Sequence, residues 1–253
     1  MGLGSYRLPS SSVVCHHSRM KPLLPILLTL VVLLFNPTEG WSADFEKGMD
    51  AWLRGDFATA LREWKPLAEQ GYAGAQFGLG WMYDNGKGVP KDDKEAVMWY
   101  RLAAGQGDAP AQVNLGTMYS KGEGVPKDDK EAVKWYRLSA EQGYAGAQFN
   151  LGVMYREGVG VPKDNKEAVK WARLAAEQGH AQAMVTLCVM YALGTGVPKD
   201  YVEAYKWGNL AAANGNENGA KLRDNFAKVM TPSQIEKAQD LSRECVRKNY
   251  KGC

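Results

Sequence analysis

Pairs of carboxylates, three residues apart, occur at four places in this sequence. An aspartate and a glutamate form each pair: Asp92 and Glu95, Asp128 and Glu131, Asp164 and Glu167, Asp200 and Glu203. Two neighbouring carboxylates can bind a metal ion or act as general acid and base. The same spacing is typical of a capping box at the start of an α-helix. Because capping explains both residues in all four copies, we interpret them as helix caps and predict no metal site and no cofactor.

A cysteine and a histidine offer the other route to catalysis. His180 is the single histidine after the N-terminal segment, and Cys188 follows eight residues later. A cysteine activated by a histidine can act as a nucleophile. Cys188 takes a position that is glycine in three other copies of the same sequence pattern, so it should face packed neighbours. The glycine-containing loops also lack the GK[ST] ending of a phosphate-binding loop. We therefore predict that the protein is not an enzyme.

These residues belong to a long internal repeat. The sequence GEGVPKDDKEAV at 122–133 has near copies at 86–97, 158–169 and 194–205, and their prolines are 36 residues apart. A fixed period of this size is the signature of a stacked repeat protein, in which each unit buries its apolar face against the next. The chain is therefore expected to form a solenoid.

Each repeat reads as two helices joined by the glycine-rich loop. Residues 73–216 contain four full repeats, 44–72 form a shortened first unit, and 217–253 are expected to form capping helices and a tail. In the first repeat, apolar residues at 75, 79, 82 and 83 predict one buried stripe. Gly80 inside that helix indicates close approach of a neighbour, and Trp99 of the second helix is interpreted as a packing residue. Helices this short are marginal alone.

The N-terminal segment resembles a secretory signal peptide. Leu23–Phe35 is an apolar run of 13 residues, shorter than the roughly 20 residues of a membrane-spanning helix. Met20 is the better start of a signal that covers residues 1–43. Cleavage is expected after Ala43, with positions after Gly40 and Ser42 as alternatives. We predict a periplasmic or secreted protein; the alternative is an uncleaved membrane anchor with a periplasmic domain.

The charge argues against a nucleic-acid-binding protein, and the cysteine content suits an exported one. The whole chain has a formal net charge of +3, and without residues 1–43 it has 28 basic and 27 acidic residues. A nearly neutral chain lacks the electrostatic footprint of a nucleic-acid-binding protein. In an oxidising compartment nearby thiols tend to pair, and Cys245 and Cys253 are the disulfide candidate.

The repeated pattern AxAQxxLGxMYxxGxGVPKDxxEAxxWxxLAAxxG resembles the Sel1-like repeat, a relative of the tetratricopeptide repeat. The resemblance covers residues 44–216 and implies an all-α fold, a right-handed α-solenoid. It also implies a role as an adaptor or scaffold, because the family is known mainly for organising protein complexes. Bacterial members include exported proteins linked to signalling, envelope polysaccharide assembly and host interaction.

By similarity to tetratricopeptide repeats, the first helices line a concave groove that binds a partner protein or peptide. The predicted groove residues are Phe77, Trp81, Asn114, Thr117, Lys121, Phe149, Asn150, Val153, Arg156 and Thr186. Trp81 is either an exposed anchor for the partner or a packing residue against the first unit. An envelope enzyme or a protein that binds cell wall or polysaccharide is the alternative function. A cysteine-rich branch of the family is associated with penicillin binding, but this chain lacks its cysteine pairs. The sequence leaves the oligomeric state open.

Overall fold

The computed structural model describes the backbone of residues 37–253 and the side chains of residues 44–253. Cys15, Met20 and the apolar run Leu23–Phe35 lie outside the described residues. The first described helix begins at Pro37 and continues through the predicted cleavage positions at 40–43. None of the described helices has the length and apolar character needed to cross a membrane.

Within residues 37–253 the chain folds into consecutive α-helices without a strand. Their bounds are α1 (Pro37–Leu53), α2 (Phe57–Glu69), α3 (Ala73–Asn85), α4 (Asp93–Gly105), α5 (Ala109–Lys121), α6 (Asp129–Glu141), α7 (Ala145–Glu157), α8 (Asn165–Ala176), α9 (Ala181–Leu193), α10 (Tyr201–Ala213), α11 (Glu217–Ala227) and α12 (Pro232–Arg247). Each full repeat contains a first helix (α3, α5, α7 or α9) and a second helix (α4, α6, α8 or α10). The expected all-α solenoid is confirmed.

The loop between the two helices of a repeat ends one helix and starts the next. Gly86 and its equivalents end the first helices in the left-handed conformation, with φ of 62° at Gly86. Asp92 then accepts hydrogen bonds from the backbone N–H groups of Lys94 and Glu95, at 2.9 and 3.2 Å. The same contacts occur at the three other loops. The carboxylates thus satisfy N–H groups that a helix start leaves free.

The predicted capping boxes are only half formed at these four loops. The aspartate contacts are present, but the prediction that the glutamates complete the boxes is wrong. A capping box needs the glutamate to accept from the N–H of the cap residue. That N–H is already used, because Asp92 donates it to the carbonyl oxygen of Tyr83 at 3.0 Å. Its equivalents donate to Tyr119, Tyr155 and Tyr191 in the same way. Three of the glutamates, Glu131, Glu167 and Glu203, pair elsewhere; Glu167, for example, accepts from the indole N–H of Trp171 at 3.0 Å.

Glycines let the two helices of a repeat approach closely, as the sequence predicted. A Cβ atom on Gly80 would lie 2.5 Å from the ring of Tyr100, and one on Gly116 would lie 2.9 Å from that of Tyr136. Tyr100 is fully buried. The tryptophan one residue earlier, Trp99, is half-buried and packs against the apolar cluster that the first unit shares with the first helix of this repeat. The tyrosines therefore fill the space between the helices, and the tryptophans join neighbouring units.

Buried glutamines link successive repeats. The side chain of Gln112 in α5 donates to the carbonyl oxygen of Ala104 at the end of α4, at 3.1 Å, and accepts from Gln142 at the end of α6, at 2.8 Å. Gln76 and Gln148 make the equivalent pairs of contacts. Each glutamine thus fixes a first helix to the second helices on both sides of it. Satisfying these buried amides avoids the cost of orphaned polar groups.

The two ends of the stack are closed differently. At the start, the ring of Trp64 in α2 fills the space beside Gly48 and Gly78, where Cβ atoms would lie 2.3 and 2.6 Å from it. At the end, α12 begins with a complete capping box between Thr231 and Gln234. The buried residues of α12 are Ala238, Ser242 and Cys245. Val246, next to Cys245, is 47% exposed.

Candidate partner-binding surface

The half-buried positions of the first helices form the candidate surface, which we call the first-helix face. Its most apolar part is a cavity of about 390 Å³ between the first unit and the first repeat. We call this cavity the aromatic pocket; it is lined by Phe45, Met49, Trp52, Trp64, Gly74, Phe77, Gly78, Trp81 and Asp108. Its volume falls in the range of about 300–1,000 Å³ that is typical of ligand pockets.

Trp81 lines this pocket and also packs against the first unit. Its ring lies edge-on to that of Trp52, with centroids 5.4 Å apart, and 6.3 Å from that of Phe57. Phe77, the other predicted groove residue in the pocket, lies 6.0 Å from the ring of Tyr100. Trp81 is therefore held in place by aromatic contacts and keeps only part of its ring accessible.

Asp108 is the single charged residue of the aromatic pocket. Its carboxylate caps α5 by accepting from the N–H of Ala111 at 2.7 Å. Burial raises the pKa of Asp108, and the hydrogen bond from Ala111 opposes that rise. The pocket thus presents a largely apolar wall with one acidic group that is already engaged.

Two predicted groove residues of the second repeat are engaged within the protein. The side chain of Asn114 hydrogen-bonds the hydroxyl of Tyr100, and that hydroxyl lies 3.3 Å from a carboxylate oxygen of Asp84. Burial and the Asp84 carboxylate raise the pKa of Tyr100. Thr117 pairs with the hydroxyl of Tyr136 at 3.0 Å. Asn114 and Thr117 therefore stabilise buried tyrosines, which leaves them less free to bind a partner.

The third repeat leaves its polar group free. Asn150 is half-buried, and its amide has no hydrogen-bond partner among the described residues. Phe149 stacks on His180 with ring centroids 4.8 Å apart. Arg156 forms an ion pair with Glu157 at 2.8 Å, and Val153 is half-buried. This repeat therefore offers an unpaired amide on a partly accessible helix.

The remaining two predicted residues lie at the margins. Lys121 is the last residue of α5. It lies one position after the residue that is equivalent to Arg156. Its ammonium group pairs with the carboxylate of Glu123 at 3.6 Å. Thr186 is 9% exposed, and its hydroxyl donates to the carbonyl oxygen of Gln182 at 3.0 Å. Thr186 does not belong to an accessible groove, because the packing of α11 near α9 buries this part of the last repeat.

The arrangement of Cys188 and His180 does not resemble a catalytic pair. Cys188 is fully buried, and burial raises the pKa of its thiol to about 12. The Nδ1 atom of His180 accepts from the N–H of Ala183 at 3.2 Å and so caps α9. A thiol with so high a pKa carries almost no thiolate at neutral pH. Among the described side chains, no cluster of histidine, cysteine, aspartate and glutamate could hold a metal ion.

Sequence reasoning missed most of the aromatic pocket. The repeat pattern drew attention to Phe77 and Trp81, whereas Trp52 and Trp64 lie in the degenerate first unit. One signal was available: position 78 is glycine in the first repeat, but asparagine or threonine in the others. The structural reason is the ring of Trp64, which occupies the space that a larger side chain would need.

The repeated helix pairs define an α-solenoid. Four Sel1 repeats are matched at residues 73–108, 109–144, 145–180 and 181–216. The chain therefore belongs to the Sel1 repeat family, whose fold commonly mediates protein–protein interaction. No curated protein matches the chain.

Solved structures of several proteins are similar to the chain. A Sel1 repeat protein from Oxalobacter formigenes is 35% identical, with a TM-score of 0.69 over 79% of this chain and 82% of that one. A protective antigen present in uropathogenic Escherichia coli strains is 25% identical, with a TM-score of 0.40 over 83% and 70% of the two chains. Immunity protein Pa5087 from Pseudomonas aeruginosa is 20% identical, with a TM-score of 0.49 over 81% of each chain.

Proposed function

We propose that the protein is a non-catalytic, exported scaffold or adaptor that binds a protein or peptide partner along the first-helix face. The aromatic pocket is the observation that carries this proposal. Its half-buried rings, among them Phe77 and Trp81, form an apolar cavity at one end of that face. Apolar cavities with aromatic walls are common anchor sites in protein interfaces. The pocket suits a large apolar side chain of the partner.

The free amide of Asn150 supports an extended or peptide-like partner. A side-chain amide has both a donor and an acceptor, so it can pair with a backbone peptide group. Phe149 and Val153 flank it with apolar surface. The partner would therefore place an apolar side chain in the aromatic pocket and a backbone group against the third repeat.

Export is supported by two features. The sequence begins with the signal-like segment, and the thiols of Cys245 and Cys253 are joined in the structure, with Cα atoms 5.5 Å apart. Disulfides persist in oxidising compartments such as the periplasm or the cell exterior. The proposed location is therefore periplasmic or secreted, or the periplasmic side of a membrane if the segment stays uncleaved.

Peptide titration tests the proposal. Peptides selected on the purified protein from a displayed random library would be titrated by calorimetry against the wild type and Asn150→Ala. We expect Asn150→Ala to weaken binding about tenfold, since a lost hydrogen bond costs about 1–1.5 kcal/mol. Lys94→Ala, which changes an exposed residue at the start of a second helix, should leave affinity unchanged.

Photo-cross-linking then locates the partner on the surface. A photoreactive phenylalanine analogue at position 77 should cross-link to the selected peptide, and the same analogue at position 94, an exposed position at the start of a second helix, should not. Equal cross-linking at both positions, or equal affinity of wild type and Asn150→Ala, would disprove binding at the first-helix face. Binding to purified cell-wall sacculi, with no selected peptide, would favour the polysaccharide alternative.

A further inference from the structure

Exposed leucines recur at the same position of three second helices. Leu102 of α4 is 46% exposed, Leu138 of α6 is 46% exposed, and Leu174 of α8 is 38% exposed. We call these three residues the leucine stripe. They are 36 residues apart, so each holds the same position on one of three successive second helices. Met98, one turn before Leu102, is exposed too and extends the apolar patch. A large apolar side chain exposed at the same position of successive repeats is a candidate for an interaction surface.

The fourth repeat shows what covers this surface. Its equivalent leucine, Leu210, is 1% exposed and shares a buried cluster with Cys245 of α12. Lys206, one turn before Leu210, is buried; its Nζ atom donates to the carbonyl oxygen of Cys253 at 2.9 Å, and its carbonyl oxygen lies 3.5 Å from the hydroxyl of Ser242. At the C-terminal end of the stack, then, this surface is covered by a helix of the chain. In the three preceding repeats none of the described residues covers it.

Charges of opposite sign border the leucine stripe. Lys134 and Lys170 precede Leu138 and Leu174 by four residues, while Glu141 and Glu177 follow them by three. On a helix these offsets place the lysines about 6 Å toward the start, and the glutamates about 4.5 Å toward the end, on the same side. One row of the border is therefore basic and the other acidic.

The lysines of this border retain capacity for another partner. Lys170 pairs with Glu167 in its own helix at 3.1 Å, and Lys134 pairs with Glu131. Both ammonium groups remain largely exposed. Each carries three N–H donors, so a second carboxylate can be accommodated.

We propose that the leucine stripe is a self-association surface, at which two copies of this chain pair back to back. A two-fold axis along the stripe would place Leu138 opposite the partner's Leu138. The same axis would place Lys134 opposite the partner's Glu141, and Lys170 opposite the partner's Glu177. A two-fold axis perpendicular to the stripe would instead place lysines opposite lysines and glutamates opposite glutamates. Such a two-fold contact is self-complementary, as a symmetric dimer requires.

The composition of the surface sets the expected strength. The apolar contact is limited to the leucine stripe and Met98, whereas a standard interface buries about 800 Å² on each partner. We therefore expect a dimer with micromolar affinity, in which the leucines drive association and the charged rows fix the orientation.

Sedimentation velocity of the purified protein, from about 1 to about 200 µM, tests the proposal. The wild type should show a monomer–dimer equilibrium, and Leu138→Lys should raise the dissociation constant at least tenfold. Leu193→Lys is the matched control, because Leu193 is also exposed but lies at the end of a first helix. Circular dichroism melting checks that both variants remain folded.

Charge exchange tests the orientation. A variant with Lys134→Glu and Lys170→Glu, and another with Glu141→Lys and Glu177→Lys, should each dimerise more weakly than the wild type. Mixed together, they should form a heterodimer of near wild-type affinity, because opposite charges then face each other.

Three outcomes would overturn the proposal. A monomer at every concentration would exclude self-association through this surface. A dimer that Leu138→Lys leaves unchanged, or that Leu193→Lys disrupts equally, would place the interface elsewhere. Failure of the mixed charge variants to associate would reject the two-fold arrangement along the leucine stripe.

Discussion

Gly80 and Tyr100 are the first of four residue pairs that set the spacing between the helices of a repeat. The second pair, Gly116 and Tyr136, is identical in type. In the third repeat the pair is Gly152 and Ala172, and the would-be Cβ of Gly152 meets backbone atoms, 3.2 Å from the carbonyl oxygen of Ala168. In the fourth repeat the first helix carries the larger residue, because Cys188 of α9 lies against Gly208 of α10. In the first, second and fourth pairs a glycine faces a larger side chain, whereas in the third pair two small residues let the backbones of the helices approach.

We predict that Gly80→Ala destabilises the protein. Its new Cβ would lie 2.5 Å from the Tyr100 ring, and overpacking of this kind costs about 1–3 kcal/mol. Gly105→Ala is the control, because no atom lies within 4 Å of its Cβ, and alanine should stabilise the helix by up to about 1 kcal/mol. Urea unfolding measures both. A smaller loss from Gly80→Ala in a Tyr100→Ala background than in the wild type would support the pairing; equal effects at Gly80 and Gly105 would refute it.

Acid should weaken the start of α9 through His180. Burial lowers the pKa of His180, and its Nδ1 atom caps the helix only when it is unprotonated. The pKa of His180 is lower in the folded than in the unfolded state. The His180 cap therefore makes its full contribution to stability above about pH 6.5, and this contribution is lost as the pH falls below that value. The loss should reach at most about 1 kcal/mol, the value of a cap.

Urea unfolding at pH 7.5 and 5.5 checks this expectation against His180→Asn. Asparagine caps the next helix at the equivalent position, Asn216, and does not titrate in this range. The variant should therefore lose less stability on acidification than the wild type. An identical pH dependence of the two proteins would rule out His180 as the source.

At the scale of elements, the loops hold neighbouring repeats together. The second glycine of each loop approaches the second helix of the preceding unit. At Gly124 the φ angle is 69°, and a Cβ atom would lie 2.1 Å from the carbonyl oxygen of Asp93. Gly160 and Gly196 make the same approach to Asp129 and Asn165. Glycine is needed there for two reasons, the backbone conformation and the lack of space.

Substitution of two loop glycines separates these reasons. Gly143→Ala changes a glycine with φ of 89° and no atom within 4 Å of its Cβ, so we expect only the strain of a left-handed alanine, about 1–2 kcal/mol. Gly124→Ala adds the clash with Asp93 and should cost about 3 kcal/mol or more. Urea unfolding of the two variants gives the difference. Equal losses would mean that the loop moves aside.

The elements were predictable because local signals agree with one another. The period of 36 residues, the aspartate caps and the paired glycines all mark the same helix boundaries. The hydrogen-bond partners were less predictable. The carbonyl of Tyr83 competes for the N–H that the capping box needed, and this contact joins residues nine apart across a loop. The glutamine links join residues 30 apart, such as Gln112 and Gln142, and emerge only once the helices are stacked.

At the scale of the whole molecule, the repeats were easier to predict than the ends. The helices predicted for one repeat are supported by the same pattern in the other repeats, whereas the first unit and the tail have no copies. The aromatic pocket lies where the first unit meets the first repeat, so its residues follow no period. The hydrogen bond of Asn114 was equally hard to predict, because its partner Tyr100 belongs to the preceding repeat.

Removal of the disulfide should loosen the C-terminal end of the stack. The bond between Cys245 and Cys253 closes a short ring and holds the carbonyl oxygen of Cys253 near Lys206. Closing a ring of this size contributes about 2–3 kcal/mol, so Cys253→Ser should lower the Tm by roughly 5–10 °C. Circular dichroism melting with and without dithiothreitol measures the change. The reductant should lower the Tm of the wild type to that of the variant and leave the variant unaltered; no response in either protein would contradict this.

The paired small and large residues also restrict how such a gene can gain or lose copies. The most similar DNA should encode the GVPKD loops, which separate the two helices of a repeat. A crossover in those loops could join the helix carrying Cys188 to the helix carrying Tyr100, and both would then claim the same space. A crossover at the turns between repeats keeps each matched pair intact, so whole units can be duplicated or deleted there without mismatched partners.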